Sequence, residues 1–214
     1  PGLAELLKQV VKSGNFEAGT DYHPLEQTDI ILVDVETPTD DQHNPQYQAL
    51  RSACTSLGEF AKPGALVIIE STVAPGTVAH TVNPILSEAA QMRAIEPFHI
   101  GACPERVMPG KLLSNLTQMS RVCGGESPEV ARVMVRFYSK IVEADLDSTD
   151  IITAELTKTA ENAYRDVNIA FANELALICE ASGGDFLEVR RLVNKSPGRN
   201  VLLAGAGVGG HCIP

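Results

Sequence analysis

The sequence predicts an α/β protein: part of a doubly wound parallel sheet, followed by a long central helix and a shorter helical segment. Up to about residue 150, short apolar runs alternate with helical patterns, as they do when helices cover both faces of a parallel sheet. A stretch of about 33 residues without Gly or Pro then follows, and as a helix it would span roughly 50 Å. Hydrophobic residues make up 44% of the 214 residues, an ordinary share for a globular chain.

The predicted elements alternate in a regular order, and turn-forming residues separate them. Pro or a Ser-Pro pair marks helix starts, and Gly or Lys-Pro-Gly marks helix ends. The strands are short, largely apolar runs between these markers. In chain order, the predicted elements are a helix over 1–14, a strand over 30–35, a helix over 45–61, a strand over 65–70, a helix over about 77–90, strands over 98–102 and 121–123, and a helix from about 128 to 138.

The long helix is predicted from about Asp150 to Gly183. Ser148, Thr149 or Asp150 can cap its start with a side-chain oxygen, and Gly183 or Gly184 can take the left-handed conformation that ends a helix. Apolar residues recur along it near helical spacing, and we expect them to form a core stripe. The members of this stripe are Ile151, Ile152, Leu156, Ala160, Ala163, Val167, Ala170, Phe171, Leu175 and Ile178.

Two polar residues of this helix, Lys158 and Asn162, lie four positions apart and so project from one face, with Glu155 near them. The plain interpretation is a solvated lysine beside an unrelated asparagine. The functional interpretation is a cation and an amide donor that act together on one substrate atom.

Charge and cysteine usage exclude several classes of function. The formal net charge of −10 should repel nucleic acid and anionic membrane surfaces. No apolar run is long enough to span a bilayer, and no secretory signal is visible. The five cysteines show no CxxC spacing, so neither a metal site nor a disulfide framework is predicted. A reducing, cytoplasmic setting is the simplest inference, with Cys54, Cys103, Cys123 and Cys179 as packing residues.

Polar residues follow three of the predicted strands. Thr37 follows the first strand, Ser71 and Thr72 follow the second, and Glu105 follows the third. Functional sites of parallel sheets lie at the carboxyl ends of the strands. Ordinary turn chemistry explains any one of these residues as well, but it explains all four together less well.

One motif of dinucleotide-binding folds does not occur. No G-x-G-x-x-G follows a strand, and the AGAGVGG sequence near the C-terminus lacks the strand-then-helix context. The chain also opens on a helix and stops directly after a glycine-rich loop. We therefore expect a strand–turn–helix–strand unit to precede these residues in the native protein, and a further domain to follow them.

Six segments together resemble the UDP-glucose/GDP-mannose dehydrogenase family, in the family's order and over nearly the whole chain. They are ETP at 36–38, ESTVAPGT at 70–77, CPERVMPG at 103–110, AELTKTAEN at 154–162, FANE at 171–174 and GVGGHCIP at 207–214. The resemblance implies three parts. These are a Rossmann-type NAD-binding part at 1–146 without its first βαβ unit, a long helix and helical dimerisation segment at 147–195, and a glycine-rich catalytic loop at 196–214 that leads to a nucleotide-sugar-binding domain.

The family reaction is an NAD-dependent, four-electron oxidation of the C6 alcohol of a nucleotide sugar to a carboxylate. ERVMPG and GGHCIP resemble the members that act on UDP-N-acetylhexosamines, and on UDP-N-acetylmannosamine in particular. The implied partners are a UDP-sugar, NAD and a second copy of the chain bound through the long helix. The isolated segment, without the glycine motif, is expected to be inactive and to bind NAD poorly.

The resemblance implies Cys212 as the nucleophile, and its chemistry suits that role. A thiolate can capture an aldehyde as a thiohemiacetal, and oxidation of the adduct gives a thioester that water hydrolyses. Lys158 and Asn162 can stabilise an oxyanion at C6, and Lys158 can also accept the alcohol proton. Glu105 can position the hydrolytic water, and Thr72 can hold that water or the substrate hydroxyl.

The remaining implied residues bind the cofactor or the substrate. The implied cofactor-binding residues are Thr37, Pro38, Ser71 and Thr72. The implied substrate-binding residues are Glu105, Arg106, Val107, Arg199, Gly209 and His211. Two positions depart from the family pattern: Pro109 stands where some relatives carry a second glutamate, and Gly198 stands where the phosphate-binding arginine is usual.

Two alternatives remain open. A two-electron hydroxyacid dehydrogenase of the 6-phosphogluconate type also places Lys and Asn four apart on a helix, but it has no use for Cys212. A non-catalytic dimerisation scaffold is the other alternative, since both nucleotide-binding ends are absent from these residues.

Overall fold

Five strands form one sheet in the computed structural model, which describes residues 2–107 and 110–210. Their order across the sheet is the same as their order in the sequence. The strands are β1 (Ile30–Val33), β2 (Leu66–Ile69), β3 (His99–Ala102), β4 (Arg121–Gly125) and β5 (Leu146–Asp150). The doubly wound α/β class is confirmed, and β5 is a strand that the sequence pattern did not predict.

The sheet is not parallel throughout. β1, β2 and β3 are parallel, and β4 and β5 are parallel to each other. β4 runs antiparallel to β3, with Gly101 opposite Gly125 and Ala102 opposite Gly124. The expectation of a wholly parallel sheet is therefore wrong at this pair. Among the described residues between the two strands, one short helix is present, and an antiparallel neighbour does not need the long crossover that a parallel one requires.

Seven α-helices accompany the strands within the described residues. They are α1 (Leu3–Lys12), α2 (Gln48–Phe60), α3 (Asn83–Arg93), α4 (Leu112–Gln118), α5 (Pro128–Tyr138), α6 (Ile151–Ser182) and α7 (Phe186–Val193). A 3₁₀ segment at His23–Gln27 precedes β1, and a π-helical turn at Val78–Val82 leads into α3. The sequence pattern predicted the positions of these helices except for α4, which is a short element without a strong period.

Helices cover the sheet on both faces, and β2 shows this most clearly. All four of its residues are buried. Val67 and Ile69 belong to a core that also contains residues of α2 and α3, whereas Leu66 and Ile68 belong to a second core with residues of α5. Because side chains alternate along a strand, the two cores lie on opposite faces of the sheet.

The ends of α6 agree with the prediction. At the start, Asp150 Oδ1 accepts a hydrogen bond from Thr153 N at 2.8 Å and so caps the helix. At the end, Gly183 has a φ of 75°, and Gly184 N donates to Cys179 O at 2.8 Å. These are the left-handed residue and the returning bond that terminate many helices.

The predicted core stripe of α6 is wrong for most of its members. Ile152, Leu156, Val167, Phe171 and Ile178 are each about half exposed or more. The buried residues of this helix are Ala154, Glu155, Ala172 and Cys179. The period identified an apolar face, but that face is not the one that packs inward. Ala154, a small residue outside the predicted stripe, lies close to the backbone of Gly124.

The chain divides into two compact units, residues 1–158 and 159–214. The first contains the sheet, and the second contains most of α6 with α7. Cys54, Cys103, Cys123 and Cys179 are buried free thiols, as predicted for packing residues. Among the described residues, no cluster of His, Cys, Asp and Glu is suited to hold a metal ion, and no helix is both long and apolar enough to cross a membrane.

Candidate active site

The segments that follow β1 and β2 lie side by side at the carboxyl edge of the sheet. Ser71 Oγ accepts a hydrogen bond from Val35 N at 2.9 Å and lies 2.7 Å from Val35 O, to which it can donate. Thr37 Oγ1 donates to Thr72 O at 2.7 Å, and Pro38 O accepts from the backbone of Gln46. The structure thus brings these predicted residues together, with the hydroxyls of Thr37 and Ser71 bonded to main chain.

The segment after β3 carries Glu105, and three donors hold its carboxylate. Oε1 accepts hydrogen bonds from Arg106 N at 2.6 Å and Val107 N at 2.8 Å. Oε2 accepts one from Arg121 Nη2 at 2.7 Å. The side chain is 28% exposed. Glu105 therefore presents a fixed carboxylate whose remaining lone pairs can accept hydrogen bonds from water.

Arg121, the first residue of β4, connects Glu105 to a buried pair. Its Nη1 lies 3.4 Å from Glu70 Oε1, and its guanidinium lies 5.0 Å from the centre of the Tyr138 ring. Tyr138 Oη donates a hydrogen bond to the same Glu70 oxygen. Arg121, Glu70 and Tyr138 are all buried. One cation thus lies between an inner and an outer carboxylate.

The acidic groups around Arg121 have altered proton affinities. Burial raises the pKa of Glu70 to about 7, although the hydrogen bond from Tyr138 and the charge of Arg121 act in the opposite direction. Burial, followed by the nearby charge of Glu105, raises the pKa of Asp34. Burial opposes the charge of Arg121, but the carboxylates of Glu105 and Glu70 outweigh it and hold the pKa of Arg121 above its usual value.

Comparison with known protein families identifies the family of this chain. Residues 1–142 match the NAD binding domain of the UDP-glucose/GDP-mannose dehydrogenase family, and residues 152–214 match the central domain of the same family. The chain belongs to the UDP-glucose/GDP-mannose dehydrogenase family.

Individual relatives in this family match the whole chain. The UDP-N-acetyl-D-mannosamine dehydrogenases of Escherichia coli (strain K12) and Campylobacter jejuni are 39% and 36% identical over 219 and 220 residues. These matches cover 100% of this chain and 51% and 53% of the relatives, so the chain spans about half their length. The structure of the UDP-D-ManNAc dehydrogenase from Pyrococcus horikoshii is 33% identical with a TM-score of 0.91, over 100% of this chain and 50% of that one.

The family residues predicted on α6 lie one turn apart. Lys158 and Asn162 are both half-buried there. Glu155, which the sequence placed near the same face, is instead 1% exposed and accepts hydrogen bonds from Gly76 N at 2.6 Å and Val78 N at 2.9 Å.

The predicted substrate-binding residues are spread over both units. In the first unit, Arg106 Nη1 donates to the backbone and hydroxyl oxygens of Ser120 at 3.0 Å each. In the second unit, Arg199 is exposed and lies within 3.5 Å of Pro197 O, and Gly209 is exposed in the final loop. His211 and Cys212 lie outside the described residues.

Sequence reasoning did not find Arg121, Glu70 or Tyr138. If the β3–β4 register is continued along the chain, residue 121 lies opposite residue 105. This pairing of Arg121 with Glu105 exists because β4 runs antiparallel to β3. The one available signal was a charged residue directly beside a largely apolar run. Glu70 follows β2, and Arg121 is the first residue of β4.

Proposed function

We propose that the protein containing this chain oxidises the C6 alcohol of a UDP-sugar to a carboxylate with two molecules of NAD, and that UDP-N-acetylmannosamine is its substrate. The observation that carries the proposal is the match, at 36 to 39% identity over the whole chain, to proteins named UDP-N-acetyl-D-mannosamine dehydrogenase. The fixed carboxylate of Glu105, at the edge where α/β sheets bind ligands, supports it.

NAD would contribute hydride acceptance at the sugar carbon in each of the two oxidations. The neighbouring segments of Thr37-Pro38 and Ser71-Thr72 fit such a ligand, since they form a polar rim at the carboxyl edge of two parallel strands. The hydroxyls of Thr37 and Ser71 bond to main chain, so we propose that these residues shape the rim and contact the ligand through their remaining exposed surface.

The remaining chemistry is assigned to side chains of this protein. Lys158 takes the alcohol proton and, with Asn162, stabilises the oxyanion at C6. The Cys212 sulfur then bonds to the aldehyde carbon, and loss of the second hydride from that carbon leaves a thioester. Glu105, with Thr72, orients the water that forms the new C–O bond as the C–S bond breaks. The carboxylate and the free thiol are the products.

Binding of the substrate is assigned to residues around these groups. Arg106, Val107 and His211 border Glu105 and Cys212 in sequence and are proposed to contact the sugar. Gly209 allows the chain to approach the substrate closely. Arg199 is exposed and is proposed to form the fork onto the diphosphate.

The test is a substrate comparison on a protein of full family length that contains this sequence. NADH formation at 340 nm should occur with UDP-N-acetylmannosamine, should be weaker with UDP-glucose, and should be absent with 6-phosphogluconate. NADH formation with 6-phosphogluconate alone would support the two-electron hydroxyacid dehydrogenase instead. Cys212→Ala should abolish acid formation from the UDP-sugar, because the second oxidation needs a thiol adduct. The two-electron hydroxyacid reaction needs no thiol and would survive this substitution.

We also propose that the protein is a cytoplasmic homodimer formed through α6. In the second unit, the exposed side chains of Tyr164, Val167, Phe171 and Ile178 support this, since such an apolar surface usually meets a partner. Residues 1–214 alone contain no G-x-G-x-x-G after a strand, and we propose that they bind NAD poorly and form no product by themselves. Calorimetry with NAD tests the weak binding, and absorbance at 340 nm with NAD and UDP-sugar tests the absence of product.

A further inference from the structure

Arg121 contacts two carboxylates that differ in their surroundings. Nη2 lies 2.7 Å from Glu105 Oε2, and Nη1 lies 3.4 Å from Glu70 Oε1. The side chains of Arg121 and Glu70 are each 7% exposed, whereas that of Glu105 is 28% exposed. The guanidinium thus joins a buried acid to the one acid of the pair that water can reach.

The buried side of this arrangement is held by a second element. Tyr138, at the end of α5, is 3% exposed, and its hydroxyl donates to Glu70 Oε1. The Tyr138 ring also packs near the guanidinium of Arg121, 5.0 Å from its centre. Arg121 is therefore fixed by its strand, by Glu70 after β2 and by Tyr138 on α5.

On the exposed side, hydrogen bonds to both carboxylate oxygens hold the side chain of Glu105 in one orientation. The amides of Arg106 and Val107 occupy Oε1, and Arg121 occupies Oε2. Rotation of the carboxylate would break at least one of these bonds, each of which involves a charged group and is therefore strong. A planar guanidinium can contact both acids at once, while a lysine ammonium is a single point of charge.

We propose that Arg121 is a positioning residue, anchored by Glu70 and Tyr138, that fixes the carboxylate of Glu105 for the hydrolysis of the Cys212 thioester. The proposal rests on the proposed function in assigning that water to Glu105. In the step itself, the water oxygen bonds to the thioester carbon and the C–S bond breaks. One water proton passes to the departing sulfur, and the acid releases the other to solvent.

The first experiment needs no activity and uses residues 1–214. NMR amide exchange is compared in the parent chain, Arg121→Met, Arg121→Lys and, as a matched control, Arg132→Met on the exposed face of α5. Arg121→Met should accelerate exchange at Arg106 and Val107 by about tenfold, as expected when a hydrogen bond to a charged group is lost. Arg121→Lys should give a smaller increase, and Arg132→Met none.

The Cys103 amide, bonded to Ile69 O, should stay protected. Unchanged exchange at 106 and 107 in both Arg121 variants would overturn the proposal.

The second experiment places the same variants in a protein of full family length. Arg121→Met should slow acid release about 100-fold, the usual scale for a misplaced catalytic group, while KM for the UDP-sugar stays near the parent value. Intact-mass spectrometry should show the Cys212 adduct accumulating, a result that simple destabilisation would not produce. Tyr138→Phe keeps the ring and the Arg121–Glu105 contact, and should change the rate only a few-fold, since it removes a single distant hydrogen bond.

The outcomes separate this proposal from the proposed function. Faster exchange with an unchanged rate of adduct hydrolysis would overturn the positioning role. A parent protein of full length that forms neither adduct nor acid would overturn the proposed function, and the exchange data would still decide whether Arg121 fixes Glu105.

Discussion

Glu155 Oε1 accepts a hydrogen bond from Val78 N at 2.9 Å, and this bond ties the first turns of α6 to the start of the helical segment after β2. The other oxygen accepts from Gly76 N at 2.6 Å, and the side chain is 1% exposed. A buried carboxylate thus satisfies two amides that precede or begin a helix and have no partner within it. Its negative charge also suits the positive end of that helix.

We expect Glu155→Ala to lower the free energy of unfolding by roughly 2–4 kcal/mol, because two buried amides lose a charged acceptor. Glu155→Gln keeps one acceptor oxygen and should cost about half as much. Urea unfolding measures both, with Glu174→Gln as a control on the exposed surface of the same helix. Equal stability of Glu155→Ala and Glu174→Gln would contradict this assignment.

Ser71→Ala should lower the free energy of unfolding by about 1–2 kcal/mol. The substitution removes the hydroxyl that bonds to the backbone of Val35 on the neighbouring segment. Ser52→Ala, on the exposed face of α2, should change stability by less than about 0.5 kcal/mol. If the two variants unfold at the same urea concentration, the Ser71 hydroxyl does not hold these segments together.

The pKa of Glu70 predicts how stability depends on pH. Burial raises this pKa from 4.5 to about 7 in the folded protein, so between these values the folded state binds more protons than the unfolded state. The free energy of unfolding should then fall as pH rises from about 5 to about 7.5. Asp34, whose pKa is also raised, contributes in the same direction.

Glu70→Gln removes the titration of this group, so its stability should change less over the same pH range. The measurement is urea unfolding at about pH 5 and pH 7.5, with Glu88→Gln on the exposed face of α3 as the control. A fall in Glu70→Gln as large as in the parent would show that Glu70 does not carry this dependence.

Local signals made part of this structure predictable. Asp150 and Gly183 mark the ends of α6 through chemistry within one turn of the chain, and capping residues of this kind can be recognised in a sequence. Thr37, Ser71 and Glu105 follow apolar runs, and the rule that parallel strands end at one edge is enough to bring them together.

Other parts depend on contacts that no local pattern encodes. Arg121 meets Glu105 only because β4 runs antiparallel to β3, and a short apolar run carries no information about its direction. The stripe of α6 was located by its period, but periodicity identifies an apolar face and not the surface that covers it. Phe171 and Val167 are accordingly exposed, while Ala172 is buried.

The proposed dimer predicts that a charge on the exposed face of α6 separates the subunits. Phe171 is 55% exposed, and Phe171→Asp would place an unpaired carboxylate in the interface. Light scattering at about 50 µM should give twice the chain mass for the parent and for the control Glu174→Gln. Phe171→Asp should give the mass of a single chain, because changes at a central residue weaken an interface most. A monomeric parent would exclude this dimer.

The central claim is that Cys212 carries the second oxidation. In a protein of full family length, Cys212→Ser should still release the first hydride in part, but acid formation should collapse, because an alkoxide is harder to generate than a thiolate and an ester hydrolyses less readily. Lys158→Ala should instead slow both oxidations, because its charge serves the oxyanion in each.

The most direct measurement is the ratio of NADH to acid formed from UDP-N-acetylmannosamine, with intact-mass detection of an adduct on residue 212. The account predicts two NADH per acid with a transient adduct in the parent protein, as four-electron chemistry on a thiol requires. It predicts NADH without matching acid in Cys212→Ser. Acid formation by Cys212→Ser at the parent rate would contradict it.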